Sequence, residues 1–297
     1  MAFNLQTFRT RTISAVIFMI VMFIGLIWNR WSFLLLFSVI HFGCWSEYLR
    51  LTEKIHKTTF HIYTKLGWMV MGYGLMLFFC GPWYQINGYL FKDNLSLPVS
   101  AAGFALLLIG IFQKNAINLK AFGMASIGLV YISLCWGLML DLNDVELSRT
   151  MITPTSTTGV TAVMVLPFVI VVTLWINDTM AYLVGSFLGK TPLTKISPKK
   201  TWEGTLGGIV LAVVGVGFLF TRFSFSAALE TYHWYLICLI TALIGTMGDL
   251  LESKLKRMAN VKDSGRMMPG HGGFLDRFDS LLLATPAIWL YVMLVIF

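Results

Sequence analysis

The sequence predicts an all-α, polytopic integral membrane protein with about nine transmembrane helices and a cytoplasmic N-terminus. Three observations predict it. First, the chain is 57% hydrophobic and only 12% charged, with a mean hydropathy of +0.76, whereas a soluble domain is about 25% charged. Second, nine apolar runs recur along it, at 13–29, 31–46, 66–84, 97–112, 121–140, 160–188, 205–221, 233–250 and 281–297. Each is close to the roughly 17–25 residues that a helix needs to cross a bilayer, and none shows the alternation of a barrel strand. Third, with the N-terminus inside, 18 of the 22 Lys and Arg residues fall on the cytoplasmic side. Only Arg30, Lys92, Arg149 and Arg222 fall outside, as the positive-inside rule requires.

In chain order, residues 1–12 carry Phe3, Leu5, Phe8, Arg9 and Arg11 and read either as an interfacial amphipathic helix or as a plain cytoplasmic flank. No small-residue cleavage site follows the first run, which is therefore read as retained. Spans 1–5 hold few ionisable groups, and 1–140 reads as a transmembrane scaffold. Glu47 and Arg50, at helical spacing after span 2, read as a local ion pair. Residues 141–159, with Asp141, Asp144, Glu146 and a Thr-rich stretch, read as a non-cytoplasmic loop. Residues 160–297 read as the working transmembrane region. Cys44, Cys80, Cys135 and Cys238 all lie in spans and form no CxxC, so they read as small packing residues. The net charge of +8 is mainly an orientation signal that also suits anionic lipid headgroups. Without a soluble basic domain, nucleic acid is excluded as a partner.

Three polar groups interrupt the second half, and ionisable residues beside a bilayer point to function. The first is Asn177-Asp178-Thr179, about a dozen residues before the end of span 6. The second is the loop from Gly189-Lys190 through Lys195, Ser197-Pro198-Lys199-Lys200-Thr201-Trp202-Glu203-Gly204. Ser197-Pro198 reads as a turn. Ser197 or Thr201 caps the following helix, and Glu203 sits in its first turn. Free N–H groups there, beside lysines, read as an anion site suited to triphosphate. The third runs from Asp249 to Asp279, and its residues 252–279 hold 10 of the chain's 36 Asp, Glu, Lys and Arg residues. A helix continued past span 8 sets Asp249, Glu252, Ser253 and Lys256 on one face, and Asp276 and Asp279 are i, i+3 at the start of span 9. Carboxylates with few histidines suit Mg²⁺, a hard ion that prefers oxygen. His271 has no second His or Cys at ligand spacing, so zinc is a poor fit.

The segment Ser253-Lys-Leu-Lys256-Arg257, Lys262-Asp263-Ser-Gly265, Pro269-Gly-His271-Gly-Gly-Phe-Leu-Asp276-Arg277-Phe-Asp279 closely resembles the signature of the phosphatidate cytidylyltransferases, or CDP-diacylglycerol synthases. The Ile196–Gly204 loop and the segment Asp178, Ala181-Tyr182, Gly185 resemble that family too, as does the N-terminal Thr-Arg-Thr-Ile. Met268 is a conservative departure from the apolar residue usual there. The resemblance implies transfer of a cytidylyl group from CTP to phosphatidate, with Mg²⁺ as cofactor. It implies an integral protein of a bacterial cytoplasmic membrane, with its site on the cytoplasmic side among membrane lipids. It implies metal roles for Asp249, Asp276 and Asp279, with Asp178 and Glu252 in support. Lys256, Arg257, Lys262 and Arg277 would serve phosphates, and Asp263 and His271 would orient the loop. Ser197, Lys199, Lys200, Glu203 and Ser253 would line the substrate side. A second, monovalent cation and a homodimer stay open. Two other classes also stay open: a different membrane lipid phosphotransferase or kinase, and a cation-coupled transporter, the latter without any visible internal repeat.

Overall fold

The computed structural model describes residues 5–113, 118–144, 165–222, 229–267 and 272–296. Expectations placed on Phe3, Lys114, Glu146, Arg149, the Thr-rich stretch, Met268, Pro269 and His271 lie outside the described residues, as do those on the side chains of Leu5, Phe8, Arg9 and Arg11. The elements are α1 (Leu5–Ile27), α2 (Arg30–His56), α3 (Ile62–Phe78), β1 (Gln85–Ile86), β2 (Tyr89–Leu90), α4 (Phe91–Asn94), α5 (Ser96–Phe112), α6 (Leu119–Gly128), α7 (Cys135–Asp144), α8 (Val165–Leu188), α9 (Trp202–Phe220), α10 (Thr231–Met258) and α11 (Leu275–Tyr291). A π-helical turn at Leu129–Leu134 joins α6 to α7, and another at Val292–Ile296 extends α11.

Among the described residues each predicted apolar run lies mainly on helix, with 121–140 divided among α6, the π-helical turn and α7, and 66–84 running past the end of α3. Among the described residues, seven helical segments are long and apolar enough to cross a membrane: Arg30–His56, Phe91–Phe112, Leu119–Asp144, Val165–Leu188, Trp202–Phe220, Thr231–Met258 and Leu275–Ile296. The apolar part of α1, Thr12–Ile27, and the 17-residue α3 are shorter. The protein is a polytopic helical membrane protein. A short hairpin interrupts the helices: β1 pairs antiparallel with β2 across Asn87-Gly88. Both turn residues have positive φ, 52° and 82°, which is the backbone that an Asn-Gly hairpin turn requires.

Local chemistry explains where helices begin. Asn29 and Ser32 form a reciprocal capping box at the start of α2. His61, Asn118 and Thr201 cap α3, α6 and α9 through their side chains. Within the described residues α1 is continuous from Leu5 into the first apolar run.

The chain divides into two compact units. One comprises 1–137 with 255–278, and the other 138–254 with 279–297. In the first unit, α3 and α5 pack through glycines. A Cβ on Gly67 would meet the backbone of Leu107, one on Gly103 that of Met71, and one on Gly110 that of Thr64. Such close approach is how helices associate where lipid removes the hydrophobic drive. The interior of this unit includes Phe33, Phe37, Trp45, Trp68 and Trp136, each at most 1% exposed. Its polar centre is Ser133 on the π-helical turn, 2.8 Å from Trp45 Nε1 and 3.0 Å from His41 Nε2. In the second unit, α8 and α9 pack through Gly204 and Gly208, whose Cβ atoms would strike α8 backbone at Ala181 and Asn177. All four cysteines are buried and none forms a disulfide, as packing residues should be.

Candidate active site

Within the second unit, α8, the loop before α9, the start of α9 and the later part of α10 enclose a cavity of about 590 Å³. Asn177 and Asp178 contribute from α8, Ser197, Lys199 and Lys200 from the loop, and Thr246 and Asp249 from α10. The first two polar groups read from the sequence and the leading acid of the third therefore meet in one place. The α8–α9 glycine contacts permit this, because they bring the end of α8 and the start of α9 within backbone reach.

The loop is built rather than slack. Pro192 bridges to Thr201 in antiparallel fashion, with Leu193 N donating to Lys200 O at 2.7 Å and Trp202 N to Thr191 O at 3.0 Å. Thr194 Oγ1 accepts from the Ile196 and Ser197 amides at 3.1 and 3.2 Å. Glu203 reaches back across the loop and accepts from Lys190 N and Thr191 N, each at 3.2 Å. The expected cap is Thr201, whose Oγ1 accepts from Gly204 N at 3.1 Å. One expectation is corrected here. The N–H groups at the start of α9 are not free for an anion, because Trp202 and Gly204 already donate within the loop. Positive charge at the cavity comes instead from the Lys199 and Lys200 side chains. Glu203 closes the loop and does not line the cavity.

Lys200 Nζ pairs with Asp249 Oδ2, and Ser253 Oγ donates to Asp249 Oδ1 at 3.3 Å. Two residues beyond Thr246, Gly248 lets α10 touch α11. A Cβ there would overlap the carbonyl of Asp279. Asp279 is itself 8% exposed, and its Oδ1 accepts from Ser280 N at 2.6 Å. Glu252 is fully buried and does not line the cavity. The shared helical face predicted for Asp249, Glu252, Ser253 and Lys256 thus exists as continuous helix, but its side chains have different tasks.

The first unit holds the rest of the signature. Lys256 Nζ lies 2.7 Å from Asp276 Oδ1. Asp276 Oδ2 accepts from Ser264 N at 2.8 Å, Ser264 Oγ at 2.9 Å and Gly273 N at 2.8 Å. Gly272 has φ of 86°, and a Cβ there would press on the Asp276 carboxylate. Only glycine suits that position, on both backbone and space. Arg257, Lys262 and Asp263 are exposed, and Arg257 Nη1 donates to Val261 O at 3.4 Å. Arg277 is half-buried.

The ion pair expected between Glu47 and Arg50 is replaced. Arg50 is exposed, while Glu47 is buried and accepts from Ser264 Oγ, Phe274 N and Leu275 N. Sequence reasoning missed Ser264 and Thr246 as well. The signal available for Glu47 was Gly43 four residues earlier, since together they leave one face of α2 open to the Phe274 ring.

Two carboxylates, Asp178 and Asp249, share the cavity, and no group of three or more His, Cys, Asp or Glu residues converges as a metal cage among the described residues. That donor set fits Mg²⁺, which is bound by one or two carboxylates, retained waters and substrate phosphates rather than by an all-protein cage.

A sequence profile of the Cytidylyltransferase family matches residues 9–295. The chain belongs to this family. Phosphatidate cytidylyltransferase of Bacillus subtilis (strain 168) is 38% identical over 211 residues, 69% of this chain and 71% of that protein. The Haemophilus influenzae protein of the same name is 42% identical over 116 residues, 38% of this chain and 40% of its own. That of Staphylococcus aureus (strain COL) is 45% identical over 119 residues, 38% of this chain and 44% of its own.

Proposed function

We propose that this protein is a phosphatidate cytidylyltransferase, converting CTP and phosphatidate to CDP-diacylglycerol and pyrophosphate. The observation that carries the reading is the cavity of the second unit. There two lysines, two carboxylates and two serines line a space of about 590 Å³, in a chain that matches the family over residues 9–295.

A phosphate oxygen of phosphatidate attacks the α-phosphorus of CTP. The new P–O bond forms as the bond from the α-phosphorus to the α–β bridging oxygen breaks, and pyrophosphate leaves with that electron pair. A phosphomonoester is already anionic at neutral pH, so no strong general base is needed. Positioning and charge neutralisation do the catalysis. We assign Lys199, Lys200 and Ser197 to the nucleotide phosphates, and Asp178 and Asp249 as the residues that would hold Mg²⁺, with Asp279 and Glu252 as supporting acids. When bound, the ion supplies neutralisation of the developing phosphate charge. Lys200, which pairs with Asp249 here, would neutralise a nucleotide phosphate beside that carboxylate. We read Asp276, whose oxygens meet Lys256 Nζ, two backbone amides and the hydroxyl of Ser264 that it shares with Glu47, as an anchor for the signature segment. Lys256 completes that anchor, and Arg257, Lys262 and Arg277 are the cations assigned to the lipid phosphate. For topology we infer nine spans with the N-terminus and all the lysine-rich loops on the cytoplasmic face.

The test is product formation by purified protein in detergent from CTP, phosphatidate and Mg²⁺. Formation of CDP-diacylglycerol that stops on chelation supports the reading, and product formed equally well after metal removal overturns the metal assignment. A lipid kinase would instead phosphorylate diacylglycerol and release a nucleoside diphosphate.

A further inference from the structure

Glu47 is 5% exposed, on a helix otherwise occupied with packing. A buried carboxylate is costly unless donors surround it, and here they come from a segment more than 200 residues away in sequence. Glu47 Oε2 accepts from Ser264 Oγ at 2.6 Å and from Leu275 N at 2.9 Å. Its Oε1 accepts from Phe274 N at 3.0 Å. The space it fills is kept open by two glycines of the signature, since a Cβ on Gly265 or on Gly273 would overlap the carboxylate.

The two amides are those that open α11. A helix start leaves its first N–H groups without partners and carries partial positive charge. Glu47 takes Phe274 N and Leu275 N, while Asp276 takes Gly273 N. Ser264 Oγ lies between the two carboxylates, 2.6 Å from Glu47 and 2.9 Å from Asp276. Its hydroxyl, its amide and these three backbone amides form one network that sets where α11 begins and how its first turn is rotated.

We propose that Glu47 is a positioning residue for cytidylyl transfer: its buried carboxylate caps α11 from another helix and so fixes Asp276 and Arg277 on that helix's first turn. The inference rests on the functional reading above. Replacing Glu47 by Gln keeps the shape but turns one acceptor into an NH₂ donor facing a donor. At least one of the three contacts is then lost, and the first turn is free to shift. Displacements of about 1 Å in catalytic positioning cost up to about 100-fold in rate.

The experiment compares steady-state kinetics and thermal midpoints of purified Glu47→Gln, Glu47→Asp, Gly273→Ala and Ser133→Ala. Ser133→Ala removes the hydroxyl shared by His41 and Trp45 on the same helix, which makes no hydrogen bond to the described residues of 264–276. Glu47→Gln is expected to lower kcat by at least about tenfold while KM for CTP stays within about threefold. Glu47→Asp, which keeps the charge, is expected to recover part of the loss. Gly273→Ala, which fills the same space from the other side, is expected to reproduce it. Ser133→Ala is expected to lower the thermal midpoint at least as much as Glu47→Gln and to keep kcat within about twofold. The inference is overturned if Glu47→Gln retains kcat, or if kcat simply follows the thermal midpoint across all four variants. If Glu47→Gln does not fold, Glu47→Asp and Gly273→Ala carry the same comparison. An inactive wild type would overturn the functional reading and the inference with it, a pattern distinct from an active wild type with an active Glu47→Gln.

Discussion

Asp249 and Lys200 answer each other across the cavity, and their pairing has a direct consequence for mutation. Both side chains are partly buried, with 26% and 29% of their surface exposed, and an ion pair that still reaches solvent contributes about 1 kcal/mol to stability. Asp249→Asn should therefore leave the thermal midpoint nearly unchanged. If the carboxylate holds Mg²⁺ at the α-phosphate, turnover should fall by at least about 100-fold, the scale for loss of one preorganised electrostatic group. Steady-state rates at limiting Mg²⁺ check this, and near-normal turnover would remove Asp249 from the site. Asp276→Asn should behave differently. It weakens the anchor of the signature segment, so its loss of turnover should come with a lower thermal midpoint. Asp178, Asp249, Lys199 and Lys200 were readable from sequence because charge in an apolar chain is conspicuous. Glu47 was not. It lies in the scaffold half, its partners are two backbone amides and a hydroxyl, and an acid three residues before an Arg on a helix reads as local pairing until the fold brings 264–275 against it.

At the scale of elements, the loop before α9 and the long tails of α2 and α10 matter most. Glu203 pins that loop through the amides of Lys190 and Thr191. Glu203→Gln should loosen the frame that aims Lys199 and Lys200, raising KM for CTP several-fold more than it lowers kcat. Titration of initial rates against CTP measures this, and an unchanged KM would make Glu203 dispensable for nucleotide binding. Hydropathy located the helices but not their ends. α2 extends ten residues beyond the apolar run that ends at 46, and α10 eight beyond the run that ends at 250. The extensions are amphipathic, with Tyr48, Leu49 and Leu51 buried while Arg50 is exposed, and an average over a window cannot register one-sided burial. The Asn87-Gly88 ribbon was hidden for a similar reason, being too short for any alternation to show.

At the scale of the molecule, one side of the membrane should hold the chemistry. Cysteines placed beside Lys199 and beside Lys262 should both react with an impermeant thiol reagent from the cytoplasmic side, and one beside Asp144 only from the other. Cys44, Cys80, Cys135 and Cys238 are at most 4% exposed, so the native background should be low. Reaction of the two lysine segments from opposite faces would break the nine-span topology. The central claim is the transfer of the cytidylyl group itself, and the most direct measurement follows the label from CTP carrying radioactive phosphorus at either the α or the γ position. With phosphatidate, Mg²⁺ and purified protein, the account predicts that α-label enters the lipid and γ-label leaves as pyrophosphate, both stopping on chelation. Entry of γ-label into the lipid, or no transfer of either label by well-folded protein, would contradict it.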